Sequence, residues 1–278
     1  MSQSEKSSQI TFAMQTFERI HPVEFQRRFL TQDTRLSGRE FSQFRALHIV
    51  KGSISTAQGS ATVRMGNTIM VCGIKAEVCE PDVKRPTHGY LTTNVELSPM
   101  CSARFRSGPP SEEAQVASEH IHRLITPSVD LTSLCIEENK VVWALSADIV
   151  CIKYDGNVLD AAIVALVAAL ENLKLPEVKV DPATGVVEAG AEEGVQLGIV
   201  RRLFPATFAL VDDNYLVADA DDAEEQMTSA SLLVVLDEQG QMVNVWKRGA
   251  GIISRDTIAK CIAAAAARKS EIEQALSA

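Results

Sequence analysis

The sequence predicts an α+β protein in which strands give way to helices twice. Three observations carry this. The 278-residue chain runs from β-branched, alternating segments into helical ones, then repeats the progression. Residues 161–170 are apolar on every side and predict a helix deep in the core. Between the two halves, Pro176, Pro182, Gly185, Gly190 and Gly194 fall among acidic residues, the composition of a boundary. The expected organisation is an N-terminal extension with a docking helix over 1–34, a first domain over 35–180, a linker over 181–194 and a second domain over 195–278.

Taken in order, residues 1–8 are polar with no apolar core behind them, which predicts an intracellular protein. Pro22 suits the first turn of a helix through Val23, Phe25, Phe29 and Leu30, with Arg27 and Arg28 on its wet side. Strands are expected within 44–78, and Gly66-Asn67 reads as a two-residue hairpin loop because both residues tolerate positive φ. A polar loop over 81–90 and a strand over 91–97 follow. Ser111-Glu112-Glu113 opens a helix through Val116, Ile121, Leu124 and Ile125, with its acidic residues at the positive end. Residues 141–152 are nearly all apolar and rich in β-branched types, predicting a strand covered on both faces. The apolar helix comes next, and Pro176 should end it. Extended segments are expected at 196–200, 206–211, 215–218, 229–236 and 242–246, with Asp237-Glu238-Gln239-Gly240 as a hairpin turn. Asp256 should cap a last helix carrying Ile258, Cys261, Ile262 and Ala265 on one side.

Composition excludes several classes. No segment approaches the roughly 18 apolar residues that span a bilayer. The six cysteines are scattered without a C-x-x-C pair, so no zinc site is expected. A net charge of −9 argues against a freestanding nucleic-acid binder, which leaves RNA contact local or shared with a partner.

The most informative stretch is Tyr154-Asp155-Gly156-Asn157-Val158-Leu159-Asp160, between the apolar strand and the apolar helix. A helix start aimed out of a sheet presents free N–H groups and a positive dipole end, the usual backbone contribution to phosphate binding. Asp160, however, is placed to cap that end itself, and Val158 and Leu159 offer no donor, so a structural role is the stronger reading. Arg104 and Arg106 flank Phe105, with Arg123 further along; they suit RNA phosphates, although spacing alone favours pairing with surface carboxylates. His120 and His122 are two apart and cannot chelate one ion from a helix; both read as surface or rim residues. Asp219, Asp221, Asp222, Glu224 and Glu225 could bind magnesium or move a proton, but such a run more often forms a solvated loop.

Gly59-Ser60-Ala61 with Gly66-Asn67-Thr68, then Asp155-Gly156 opening an apolar helix, resemble the phosphorolytic exoribonuclease family typified by RNase PH, over roughly residues 35–270. Residues 52–57, 104–110, 113–118 and 154–157 are similar to the exosome ring branch of that family. The resemblance implies two sheet-plus-helix halves with helices on one side of each sheet. It further implies a ring of related subunits with RNA-binding cap subunits, guiding single-stranded RNA through a channel, in the nucleus, nucleolus and cytoplasm.

Active members carry Gly-Thr-Arg after the Asp-Gly turn, where threonine and arginine hold the attacking phosphate; here Asn157, Val158 and Leu159 stand in those places. Active members also use a carboxylate near the acidic cluster as general acid, whereas Asp219 and its neighbours look more like the Val-Asp-Pro segment of inactive subunits, departing from it at Ala218 and Ala220. The family's Arg-x-Asp-Gly-Arg element has Ser37 in place of aspartate. Inactive relatives often place two basic residues one turn apart after the Gly-Pro-Pro loop; Arg123 fits one position and Glu119 occupies the other.

The resemblance therefore implies a non-catalytic ring subunit with no catalytic residue, metal or cofactor. RNA contacts would come from Arg104, Arg106 and Arg123, and Asn157, Val158 and Leu159 would be a degenerate phosphate site. The alternative is an active phosphate-dependent 3′-to-5′ exoribonuclease in which Arg201-Arg202 or Lys247-Arg248 supplies the missing charge. A small-molecule kinase relative would need a Gly-rich phosphate loop that the sequence lacks.

Overall fold

The computed structural model describes residues 16–17, 19–180 and 187–277, so the N-terminal stretch 1–8 and part of the expected linker lie outside the described residues. The first half is one sheet. Strands β1 (Leu47–Lys51), β2 (Gly59–Met65), β3 (Thr68–Cys79), β4 (Tyr90–Glu96) and β6 (Val141–Lys153) run in the order β1-β2-β3-β6-β4, with β5 (Cys135–Glu137) beside the start of β6. β2 and β3 meet at the Gly66-Asn67 loop, where Met65 pairs with Thr68. Gly66 alone supplies the positive φ, at 59°. β4 lies parallel to β6, which demands a crossover, and helix α2 (Glu112–Ile125) provides it. Ser111 caps α2 by accepting the Ala114 N–H.

β6 departs from expectation. Leu145, Ala147, Ile149 and Cys151 are buried, while Ser146, Asp148 and Ile152 are exposed, so only one face is fully covered. An apolar run does not by itself show that a second layer exists to cover it.

Helix α3 (Val158–Glu171) lies between the first sheet and the second, packed against β2, β3, β6 and β9 (Phe204–Val211). Every residue of it except Leu159 and Glu171 is buried. The close approach uses Gly59, where a Cβ would stand 2.6 Å from the Ala169 carbonyl oxygen. α3 ends at Glu171; Pro176 lies beyond it, inside β7 (Lys174–Val180). Proline is therefore not the terminator here. β7 pairs with β8 (Val187–Gln196), which takes in residues 187–194 of the stretch expected as a linker.

The second sheet has the order β10-β9-β11-β12, from β9 (Phe204–Val211), β10 (Tyr215–Ala218), β11 (Thr228–Leu236) and β12 (Met242–Gly249). Of the extended segment expected at 196–200, only an isolated bridge between Ile199 and Val129 follows β8. A single turn, α4 (Asp222–Glu225), connects β10 to β11. Helix α5 (Arg255–Ser277) packs on β9 and β11, burying Cys261, Ala265, Ile272 and Leu276. Its first turn is held by Ser254, whose hydroxyl accepts the Thr257 N–H, and Asp256 sits inside the helix instead of capping it. Helix α1 (Pro22–Leu30) buries Phe25 and Leu30 and pairs Arg27 with Asp212, just beyond β9. Among the described residues no helix is long and apolar enough to cross a membrane.

Candidate functional site

The turn from β6 into α3 is pressed against the acidic loop of the second half. Gly156 has φ of 73°, and a Cβ there would meet the Ala220 carbonyl oxygen at 2.6 Å, so only glycine allows this approach. Asn157 follows in a left-handed conformation and immediately precedes α3. Its amide nitrogen donates to Asp160 Oδ2 at 2.9 Å and Asp219 Oδ1 at 2.7 Å; two carboxylate neighbours fix which end of the amide carries the hydrogens. Its backbone N–H donates to Glu225 Oε1 at 2.7 Å, and Glu225 Oε2 accepts the Tyr154 hydroxyl at 2.5 Å. The donor that this turn presents is thus taken by the chain's own carboxylate.

Asp160 does not cap α3. Its carboxylate turns inward and accepts the Thr207 N–H at 2.9 Å and the Thr207 hydroxyl at 2.6 Å, joining the helix to β9. Burial pushes its carboxyl above the usual range against the pull of those bonds, and the Asp219 charge adds to the rise.

The acidic cluster overturns the solvated-loop reading, because Asp219 and Glu224 are buried. Each is met by an arginine from the N-terminal segment. Arg45 grips Asp219 through Nε and Nη2, both at 2.8 Å, and its backbone N–H adds a bond at 2.9 Å. The same guanidinium donates to the carbonyl oxygens of Asp155 and Gly156, so one side chain ties the acidic loop to the turn. Arg35 forks onto Glu224 at 2.8 and 2.5 Å and reaches the Ala218 and Asp219 carbonyl oxygens. Arg39 approaches Asp219 at 3.4 Å. Burial pulls the Arg39 guanidinium below its ordinary pKa, with the Arg35 charge adding to the fall. For Asp219 burial raises the carboxyl, but the hydrogen bonds and charge of Arg45, helped by Asn157, outweigh it and hold the pKa below the ordinary carboxylate range. Such a group is ionised at neutral pH and has no proton to give.

Above the turn lies a cavity of about 250 Å³, bordered by Tyr154, Val158, Glu225 and Trp246, with Arg104 and Arg248 among its lining residues. Arg104 is held by Glu113 at 2.6 Å, Asp222 at 3.4 Å and the Tyr154 hydroxyl at 3.1 Å. Arg106 is exposed on the same loop. Arg123 lies out on α2, paired with Glu119 at 2.7 Å and 75% exposed. The structure thus brings Arg104 together with Asn157, Val158 and Leu159 at one cavity, which Arg106 and Arg123 do not line. His120 is not a simple rim residue: its ring stacks on Trp246 at 4.0 Å and the residue is partly buried. No cluster of three or more metal-ligating side chains occurs among the described residues.

Residues 43–176 match domain 1 of the 3′ exoribonuclease family of RNase PH, and residues 204–268 match domain 2. The chain belongs to the RNase PH family. It is 40% identical over 258 residues to the exosome complex component rrp43 of Schizosaccharomyces pombe, covering 91% of this chain and 94% of that one. It is 37% identical over 233 residues to the exosome complex component Rrp42 of Methanothermobacter thermautotrophicus, covering 83% and 85%. Among solved structures it is similar to a chain of the Archaeoglobus fulgidus exosome with RNA bound to the active site, with 28% identity, a TM-score of 0.78, and 90% and 96% of the two chains covered. The two RNase PH domains meet at the seam of Arg35, Arg45, Asp219 and Glu224, and the strand-turn-helix of domain 1 faces the acidic loop of domain 2 across it.

Sequence reasoning missed Arg45, and it placed Glu225 in the acidic run without its role at the turn. Arg45 had a signal, since it stands just before a strand between Phe44 and Leu47, which both pack against the core. Asp219 had a similar one between Val217-Ala218 and Ala220. Nothing local distinguishes Glu225 from Glu224; only the fold decides that one faces Arg35 and the other Asn157.

Proposed function

We propose that this chain is a non-catalytic subunit of an exosome core ring, supporting 3′-to-5′ RNA processing and degradation through subunit contacts and the shape of the RNA channel. Its likeness to named exosome components over nearly the full length of both chains supports the ring assignment. The observation that carries the non-catalytic part is the turn before α3. Asn157, Val158 and Leu159 offer no cationic group to an incoming phosphate. The one backbone donor of Asn157 is occupied by Glu225, whose negative charge repels a second anion. Asp219, ionised and held by Arg45, is unsuited to protonate a leaving group.

One observation favours the other reading, an active phosphorolytic enzyme: Arg248 borders the same cavity. It lies 4.0 Å from Glu113, however, and Arg202 is paired with Glu171. Neither supplies an unpaired cation at the turn.

Ring membership is tested by co-expressing the chain with other RNase PH-type ring subunits. Stoichiometric co-purification is expected, and recovery of the chain alone would count against it. Arg104, Arg106 and Arg123 are assigned to RNA contact, with Arg104 released from Glu113 when a phosphate competes for it. Replacing all three by glutamate should weaken RNA loading of the assembled ring and leave assembly intact. Unchanged crosslinking of threaded RNA would remove them from the path.

A further inference from the structure

The cavity above the turn is walled in part by a carboxylate and a buried amide oxygen that meet no cation directly among the described residues. Glu225 forms part of its wall, and both hydrogen bonds to that carboxylate come from uncharged donors, the Tyr154 hydroxyl and the Asn157 N–H. No ion pair to Glu225 occurs among the described residues. Asn157, only 4% exposed, also lines the cavity, and its Oδ1 has no hydrogen-bond partner. Arg104 acts on Glu225 only through its charge, without a direct ion pair, and a recessed carboxylate so placed and a buried amide oxygen without a donor are both costly arrangements.

The charged residues of the lining are Glu113 and Glu225 with Arg104 and Arg248. Arg104 is shared between Glu113 and Asp222, and Arg248 reaches only Glu113, so both cations make their direct ion pairs away from Glu225. Apolar walls from Leu97, Val116 and Val158 cover the space an alkyl stem would cross. Tyr154 and Trp246 also line the cavity, with Arg104 already over the Tyr154 ring and His120 stacked on one face of Trp246.

We propose that this cavity receives a guanidinium group on an alkyl stem, the head group of arginine, with Glu225 as its acceptor. The planar fork matches a carboxylate, and the stem matches the apolar walls. The group can arrive free or on a polypeptide. β12 is the last strand of its sheet and borders the cavity through Trp246 and Arg248, so an extended peptide along its unpaired edge would deliver a side chain inward. The proposal does not rest on ring membership or on the absence of catalysis, because the test uses the isolated full chain and no RNA.

The test is a titration of the full chain with N-acetyl-arginine methylamide, read by the fluorescence of Trp246, one of two tryptophans. Saturable binding in the millimolar range is expected for this compound, with the neutral citrulline analogue binding about tenfold more weakly. Glu225→Gln keeps an oxygen to accept the Asn157 N–H and places an amide nitrogen that can donate to the Tyr154 oxygen, but removes the charge, and should weaken binding to a similar extent. Val116→Phe, at a position 39% exposed on the cavity rim, should block entry without disturbing the core. A second arm replaces the compound with a blocked alanine pentapeptide carrying a central arginine. Tighter binding of the peptide identifies a polypeptide source, and equal binding identifies the free group. Equal affinity for arginine and citrulline, unchanged affinity in a folded Glu225→Gln chain, or no saturation by either ligand overturns the proposal.

Discussion

The buried seam and the exposed arginine loop use the same residue types for different ends. In the seam, Arg35 and Arg45 are buried and each meets a carboxylate in a forked pair, with further bonds to backbone carbonyl oxygens. On the loop and α2, Arg104 and Arg123 also meet carboxylates, but from side chains 39% and 75% exposed. Water decides the difference. An ion pair in the seam cannot be replaced by hydration if one partner is lost, whereas an exposed pair dissolves with little change in free energy. The seam therefore holds the two RNase PH domains in register, and the exposed arginines are free to exchange a carboxylate for another anion.

The largest effect that would sharpen this contrast is expected from Arg45→Met. It leaves Asp219 buried without its cation and removes the link to the turn, at a cost of about 3–5 kcal/mol. Urea unfolding of the purified chain measures it, and a loss below about 1 kcal/mol would break the claim that the seam is structural.

Asp219→Asn should cost less, about 2 kcal/mol at neutral pH, because asparagine keeps part of the hydrogen bonding to Arg45 and Asn157. Its signature is pH. The folded Asp219 carboxyl sits below its unfolded value, so its contribution is complete above the unfolded value of about 3.9 and is lost as pH falls through the folded one. Thermal midpoints of wild type and Asp219→Asn should therefore converge as pH drops below about 4. Asp160 and Glu225, whose carboxyls are raised by burial, act in the opposite direction, and the part of the Asp160 rise that comes from the Asp219 charge is absent from the variant. A gap that stays constant down to pH 3 would contradict the assignment. The smallest effect belongs to Arg123→Ala, which should change stability by no more than about 0.5 kcal/mol because its partner Glu119 is equally wet.

The fold was legible wherever local pattern and final environment agree. The Gly66-Asn67 hairpin, the cap at Ser111 and the core helix after Asn157 follow from turn chemistry and periodicity. Readings failed where a residue's partner lies far along the chain. Asp160 looked like a cap because Thr207, its actual partner 47 residues on, cannot be read from its surroundings in sequence. The acidic run looked solvated because Arg35 and Arg45, which bury it, are more than 170 residues away. β6 looked doubly covered because an apolar composition records the most buried face and says little about the other. Asn157, Val158 and Leu159 after the Asp-Gly turn were visible directly, but the occupation of the turn by Glu225 required the two domains to be docked.

The proposed closure of the turn before α3 to phosphate rests on Glu225 occupying the Asn157 N–H. A phosphorolysis assay on the purified chain and on the reconstituted ring tests it most directly, following release of nucleoside diphosphates from single-stranded RNA as inorganic phosphate is varied. No phosphate-dependent release attributable to this chain is predicted. Release that rises with phosphate and disappears in a folded Asp219→Asn chain would contradict it.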